Sequence, residues 1–130
     1  MPNLSMYYGR RRSDSTGLAI MDSRLLSGTV DLLILDVLAH EASYGYEITQ
    51  QVLGRSNGYF QLTEGSLYPA LHRLERQRLV SAYWEEVEGR RRKYYRLTPS
   101  GRKALAAKRE EWQEFARGVN GVLGVAHGLA

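Results

Sequence analysis

The chain has no cysteine among its 130 residues. That absence excludes disulfide staples, thiolate zinc sites and cysteine nucleophiles together, and it fits a reducing compartment. Long apolar runs are missing too. The longest block, Leu32–Leu35, is far short of the roughly 20 residues that a membrane-spanning helix needs. Arg10, Arg11 and Arg12 stand near the start, but no apolar block of signal-peptide length follows them. A cytoplasmic protein with no membrane partner is the expectation.

Chemistry-bearing clusters are equally scarce. His40, His72 and His127 lie far apart, without the spacing of metal ligands. Glu85, Glu86 and Glu88 cluster, but a charged strand face explains them better than a pair of catalytic carboxylates. The segment GRSNG, Gly54 to Gly58, lacks the lysine and the context of a phosphate-binding loop. The chain is therefore read as a non-enzyme with no catalytic residue, metal or cofactor.

What is present is enough for one modest core. Hydrophobic residues make up 43% of the chain, and 9 tyrosines argue against wholesale disorder. The formal charge of +4 is a mild basic bias, compatible with a polyanionic partner, and its placement matters more than its sum.

Residues 1–23 are rich in Ser, Gly and Arg and show no period. They are expected to form a flexible arm, or to precede a true translation start at Met21. From there Val30, Leu33, Ile34, Val37 and Leu38 trace one helix face, and Leu32, Leu35 and Ala39 form a second apolar stripe. A helix apolar on two sides in so small a domain suggests a partner subunit. A second helix has Ser43 as its expected N-cap, Ile48 and Val52 inside, and Gly54 and Gly58 at its end. Phe60 to Leu62 is expected as a short strand. In the third helix Leu67, Leu71 and Leu74 face inward and Thr63 is the cap. Pro69 leaves two options open: the helix starts nearer Ser66, or it bends.

A hairpin follows, with strands over Val80–Val87 and Lys93–Leu97 joined around Glu88–Gly89. Thr98 and Pro99 then start a last helix that runs to about Gly121. Leu105, Lys108, Trp112, Phe115, Val119 and Val122 alternate in spacings of three and four, as in a coiled coil. Residues 99–130 are accordingly expected to form a dimerisation helix and a frayed tail. The expected dimer contacts are Leu32, Leu35, Leu105, Trp112, Phe115, Val119 and Val122. The plainer alternative is an amphipathic helix packed on its own domain.

Three helices, a basic hairpin and a long helix define the expected fold: mainly α with a small β-hairpin, a winged helix-turn-helix over residues 24–98. On the third helix Ser66, Tyr68, Pro69, His72 and Arg73 are left outward or flanking, with groups able to reach base edges or phosphates. At the wing tip Arg90, Arg91, Arg92 and Lys93 stand in succession, suited to neutralising phosphates. A solvated tip that deters edge pairing explains the run alone equally well. A winged-helix protein-interaction module that has lost DNA binding is the competing reading, and the intact GRRRK tip argues against it.

Three segments resemble the PadR family of transcriptional regulators: YGYEI (Tyr44 to Ile48), LYPALHRLE (Leu67 to Glu75) and YRLTPSG (Tyr95 to Gly101). The resemblance covers about residues 25–120. It implies a dimeric winged-helix repressor whose C-terminal helix is swapped or packed across the two-fold, in the short form with one such helix. It maps Tyr44, Ser66, Tyr68, Pro69, His72 and Arg73 to the DNA-facing region, and Arg90 to Lys93 to the wing. It also implies an effector, a flat aromatic molecule held between subunits, with Trp112 as the matching residue. Arg78 stands where the family usually has Gly, at a position that favours a left-handed backbone. The expected partners are double-stranded DNA, a second copy of the chain and a small aromatic effector.

Overall fold

Helix α1 spans Ser23–His40 in the computed structural model of the protein, which describes the backbone of residues 23–125 and the side chains of 28–125. The arm expected over residues 1–23 lies outside the described residues except for Ser23, as does His127. The chain divides into two compact units at Asp31. The first supplies the opening half of α1, where Gly28 is exposed and Val30 and Asp31 are buried. The second, from Leu32 onward, holds all that follows.

In that second unit Ile34, Leu35, Val37 and Leu38 of α1 are buried, whereas Leu32 and Leu33 are half-exposed. The two stripes read from the sequence are therefore misassigned by one residue each. Leu35 belongs to the core, at 0% exposure, and Leu33 to the rim. At 100° per residue the buried positions fall within an arc of about 160° that lies between the two stripes, so each stripe straddles its edge.

Strand β1, Ser43–Tyr44, follows α1 and leads into helix α2, Gly45–Arg55. Ser43 is not the helix cap. It pairs with Tyr95 in a sheet, and its hydroxyl donates to the Glu41 carbonyl at 3.1 Å. The cap position falls on Tyr44, whose backbone N–H donates to Glu47 Oε1 at 3.3 Å. Asn57 and Gly58 close α2 in left-handed conformations, with the Gly58 N–H on the Leu53 carbonyl at 2.7 Å. No strand forms over Phe60 to Leu62. The Phe60 N–H is instead taken by Ser56 Oγ at 2.9 Å.

Helix α3 spans Glu64–Arg76. Thr63 and Ser66 close a reciprocal capping box: the Ser66 N–H donates to Thr63 Oγ1 at 3.2 Å and the Thr63 N–H to Ser66 Oγ at 3.1 Å. The helix thus starts before Ser66, and Pro69 sits in its second turn. Its ring removes the bond that would reach the Gly65 carbonyl and crowds that group. Gly65 has no side chain to resist the adjustment. Leu67, Ala70, Leu71 and Leu74 are buried, and each such leucine contributes roughly 2 kcal/mol through apolar burial.

Strands β2, Val80–Val87, and β3, Arg90–Leu97, form the hairpin, and the sheet order is β1-β3-β2, all antiparallel. Val87 pairs with Arg90 across Glu88 and Gly89, both with positive φ, which is the type I′ geometry that matches strand twist. β3 therefore begins three residues before Lys93, and the cationic run is part of a strand.

Helix α4, Pro99–Leu123, begins with Thr98 as N-cap and ends on Gly124, whose φ is 74°. The junction of α3, the hairpin and α4 is tightly built. Arg78 is left-handed at φ 62°, its N–H donates to the Glu75 carbonyl at 2.9 Å, and the Leu79 N–H donates to the Leu74 carbonyl at 2.9 Å. This is a Schellman closure with arginine in the glycine position. Thr98 returns to the same turn: its N–H donates to the Leu79 carbonyl at 3.1 Å, and its hydroxyl donates to the Arg78 carbonyl at 2.8 Å. The same hydroxyl accepts the Gly101 N–H at 2.9 Å. A Cβ on Gly101 would come within 2.1 Å of the Leu79 carbonyl oxygen, so only glycine fits. Arg78→Gly should raise stability by about 0.5–1 kcal/mol, the left-handed penalty less the added freedom of the unfolded chain. A urea midpoint that stays level or falls would refute the strain argument.

Candidate nucleic-acid interface

The exposed stripe of α3 carries Tyr68, Pro69, His72 and Arg76, spaced so that they share one face. Arg73 is half-buried beside it and has a partner of its own. Ser66 is turned to a different task, because its hydroxyl is engaged by Thr63 in the helix cap. Tyr68 is only partly available as well. Its ring lies over Gly45, where a Cβ would meet the Tyr68 hydroxyl at 2.3 Å, so it packs α3 onto the start of α2.

The wing has two faces, fixed by strand register. On the first, Val80, Ala82, Trp84 and Glu86 stand opposite Leu97, Tyr95, Lys93 and Arg91. Val80, Tyr95 and Leu97 are buried, and Tyr95 is within the electrostatic reach of Tyr68 and Glu75 of α3. This is the face that packs on α3, and toward the tip it continues as Trp84, Lys93 and Arg91. On the second face Ser81, Tyr83, Glu85 and Val87 stand opposite Arg96, Tyr94, Arg92 and Arg90. Here Tyr44, Tyr94 and Tyr83 form a row, with ring centroids 5.5 Å and 5.7 Å apart. Tyr44 is thus half-buried on the side of the sheet away from α3, apart from the helix stripe it was expected to join.

The cations rest on aromatic rings. Arg91 stacks on Trp84 at 4.7 Å, Arg92 on Tyr44 at 4.5 Å and Arg96 on Tyr83 at 4.7 Å, while the Lys93 ammonium is 5.6 Å from the Tyr95 ring. No carboxylate among the described residues lies within ion-pair distance of Arg90 to Lys93. The arrangement presents a projecting strand of cations without close ion pairs next to a helix with a polar outer face. Trp84 and Arg96 are not among the site residues expected from the sequence. Counting register outward from Glu88–Gly89 pairs Trp84 with Lys93 and would have found the tryptophan.

Away from the wing, α4 supplies a second surface. Leu105 is buried at 5% exposure, so like Leu35 it has no surface left for a partner. Trp112, Phe115, Val119 and Val122 are exposed along one side of the helix, with the Trp112 and Phe115 rings 5.5 Å apart. Between α4, α1 and the end of α2 lies a groove of about 330 Å³, walled by Leu32, Leu33, Val52, Phe60 and Trp112. Asp36 stands in it, half-buried. Its carboxylate is bonded by Arg55 and lies 3.7 Å from the Arg109 guanidinium, tying α4 to α1 and α2. Among the described residues no cluster of His, Cys, Asp or Glu has the arrangement of a metal site, and no helix is long and apolar enough to cross a membrane.

Helices α1 to α3 followed by a cationic hairpin define a winged-helix regulator. The chain belongs to the PadR-like family of transcriptional regulators, whose sequence model matches residues 34–107. A transcriptional regulator of Mycobacterium tuberculosis is 40% identical over 92 residues, covering 71% of this chain and 83% of its own length. A transcriptional regulator from Clostridium thermocellum superposes with a TM-score of 0.69 at 37% identity, over 75% of this chain and 95% of its own. A PadR family transcription regulator from Clostridium difficile gives 0.65 at 40% identity, over 72% and 97%. The family and these relatives are regulators of transcription rather than enzymes.

Tyr95 offers a test of the packing between wing and α3. Burial, then the Glu75 charge, then Tyr68 push its phenol above the ordinary value of 10.0. A raised folded-state value means stability that is complete below pH 10 and is lost as pH climbs through the folded value. The urea midpoint should therefore fall more steeply above pH 10 in the parent protein than in Tyr95→Phe. Parallel curves would show that Tyr95 does not titrate in the folded state as described.

Proposed function

We propose that this regulator binds double-stranded DNA as a homodimer and acts in the cytoplasm as a ligand-responsive repressor on an inverted-repeat operator. One observation carries the reading: a strand of cations without carboxylate partners stands beside a helix whose exposed face is Tyr68, Pro69, His72 and Arg76. Such a pairing suits a helix in the major groove with a wing along the phosphates. His72 and Arg76, with Arg73 at the flank, are the base-edge candidates, and the wing supplies affinity that does not depend on sequence.

Dimerisation is supported by α4. Its 25 residues extend roughly 37 Å, and past Leu105 the stripe of Trp112, Phe115, Val119 and Val122 is left uncovered. Exposed apolar stripes of this kind mark interaction surfaces. A two-fold dimer then calls for two half-sites about one turn, roughly 34 Å, apart. The resemblance to PadR-type repressors supports the sign of regulation. The apolar groove beside Trp112 supports a small aromatic effector, held by ring stacking.

Selection of bound sites from a random duplex pool, with and without aromatic ligands, tests the reading directly. Recovery of an inverted repeat supports it, and failure to bind any duplex at low salt ends it. Replacing Arg90, Arg91, Arg92 and Lys93 together with Ala should weaken binding to every sequence and flatten the dependence of affinity on salt by about 0.9 per lost phosphate contact. An unchanged slope would remove the wing from the interface. Trp112→Asp should convert the dimer to monomer in analytical ultracentrifugation, and an intact dimer would remove α4 from the subunit contact.

A further inference from the structure

We propose that Arg91 and Lys93, rather than Arg90 and Arg92, are the wing's phosphate contacts, and that Trp84 is a positioning residue that holds Arg91 ready for its phosphate. The proposal rests on the reading that the wing touches duplex DNA, and it divides the cationic run in two.

Register makes the division. Odd-numbered Arg91 and Lys93 share the face of Tyr95, Val80 and Leu97, which is packed on α3. A duplex held against the outer stripe of α3 meets the continuation of this face. Arg90, Arg92 and Arg96 point to the other side, where Arg92 and Arg96 cover Tyr44 and Tyr83. Their guanidinium groups complete a surface of tyrosines turned away from the helix.

Trp84 is the unexplained residue of the wing. It is 56% exposed, so core packing does not account for it. Its nearest cationic neighbour is Arg91, stacked at 4.7 Å, and Lys93 is its direct cross-strand partner. Glu86 is the residue directly opposite Arg91, yet Arg91 lies on the indole and forms no ion pair with Glu86. The difference matters chemically. A carboxylate would occupy the N–H donors and cancel the charge. A ring face holds the flat guanidinium while leaving its in-plane donors open to a bidentate phosphate. Stacking also restricts the long side chain before binding, which lowers the ordering cost of the contact.

The test is fluorescence anisotropy with a labelled duplex of random sequence, titrated at several salt concentrations between roughly 50 and 200 mM. Arg91→Ala and Lys93→Ala should each lower the slope of log affinity against log salt by about one, whereas Arg90→Ala and Arg92→Ala leave it unchanged. Trp84→Leu should weaken binding about two- to fivefold, and Trp84→Phe should restore most of the loss because a ring face remains. Trp84→Leu combined with Arg91→Ala should bind no more weakly than Arg91→Ala alone. Equal slopes for all four cations would overturn the division between faces. Parent-like binding by Trp84→Leu, or effects that add in the double variant, would overturn the positioning role. If the fourfold alanine variant itself binds like the parent, the wing is not at the DNA, and the reading beneath the proposal falls instead.

Discussion

Everything that positions the proposed DNA surface converges on two carbonyl groups, those of Arg78 and Leu79. Helix α3 ends there in a left-handed closure, and β2 begins one residue later. β3 ends at Leu97, and the next residue, Thr98, returns to bond both carbonyls. Helix α4 starts from the same threonine, with Gly101 pressed against Leu79. Three elements with separate tasks are thereby locked at their roots: a polar helix, a cationic hairpin and an apolar-striped helix. The wing can project because its base is fixed on both strands by the core residues Val80 and Leu97. The cost is a non-glycine residue in the left-handed region, tolerated because the surrounding hydrogen bonds over-determine it.

Asp36 plays the corresponding part on the opposite side of the second unit. It collects Arg55 from α2 and Arg109 from α4, and His40 Nδ1 lies 3.9 Å from its carboxylate. One half-buried carboxylate so links the start of the helix-turn-helix to the middle of α4. Individual exposed pairs of this kind are weak, but a carboxylate shared between two guanidinium groups fixes direction as well as adding stability. The angle at which α4 leaves the domain is held at two points, by Thr98 at its cap and by Arg109 about three turns on.

Much of this was legible in the sequence. The order of the four helices and the hairpin, Thr63 and Thr98 as caps and the Glu88–Gly89 turn follow from local rules about side-chain caps and positive φ, and the left-handed conformation at Arg78 follows from the family resemblance. The failures were of a different kind, and each required knowledge of a neighbour. Ser43 looks like a cap until Tyr95 is seen to claim its backbone. Leu35 looks like an interface residue until it is seen to lie inside the buried arc of α1. Ser66 looks available for DNA until Thr63 is seen to occupy it. Phe60 to Leu62 has strand composition until Ser56 is seen to take the Phe60 N–H. Tyr44 lies close in sequence to the helix-turn-helix, yet the sheet carries it to the far face. Composition and spacing describe a residue's own preferences, and long-range pairing decides which preference prevails.

The core anchors at the foot of β3 have an arithmetical consequence. Because side chains alternate along a strand, the parity of the cationic run is set by its distance from the buried Tyr95 and Leu97. Inserting one residue between Lys93 and Tyr94 would conserve every charge and every aromatic ring of the chain. It would nevertheless exchange the cations between the hairpin's two surfaces, bringing the former Arg90 and Arg92 toward α3 and sending Arg91 and Lys93 among the tyrosines. Electrostatic content alone therefore underdetermines this finger, and two chains of nearly identical composition would present different hands to the same polyanion.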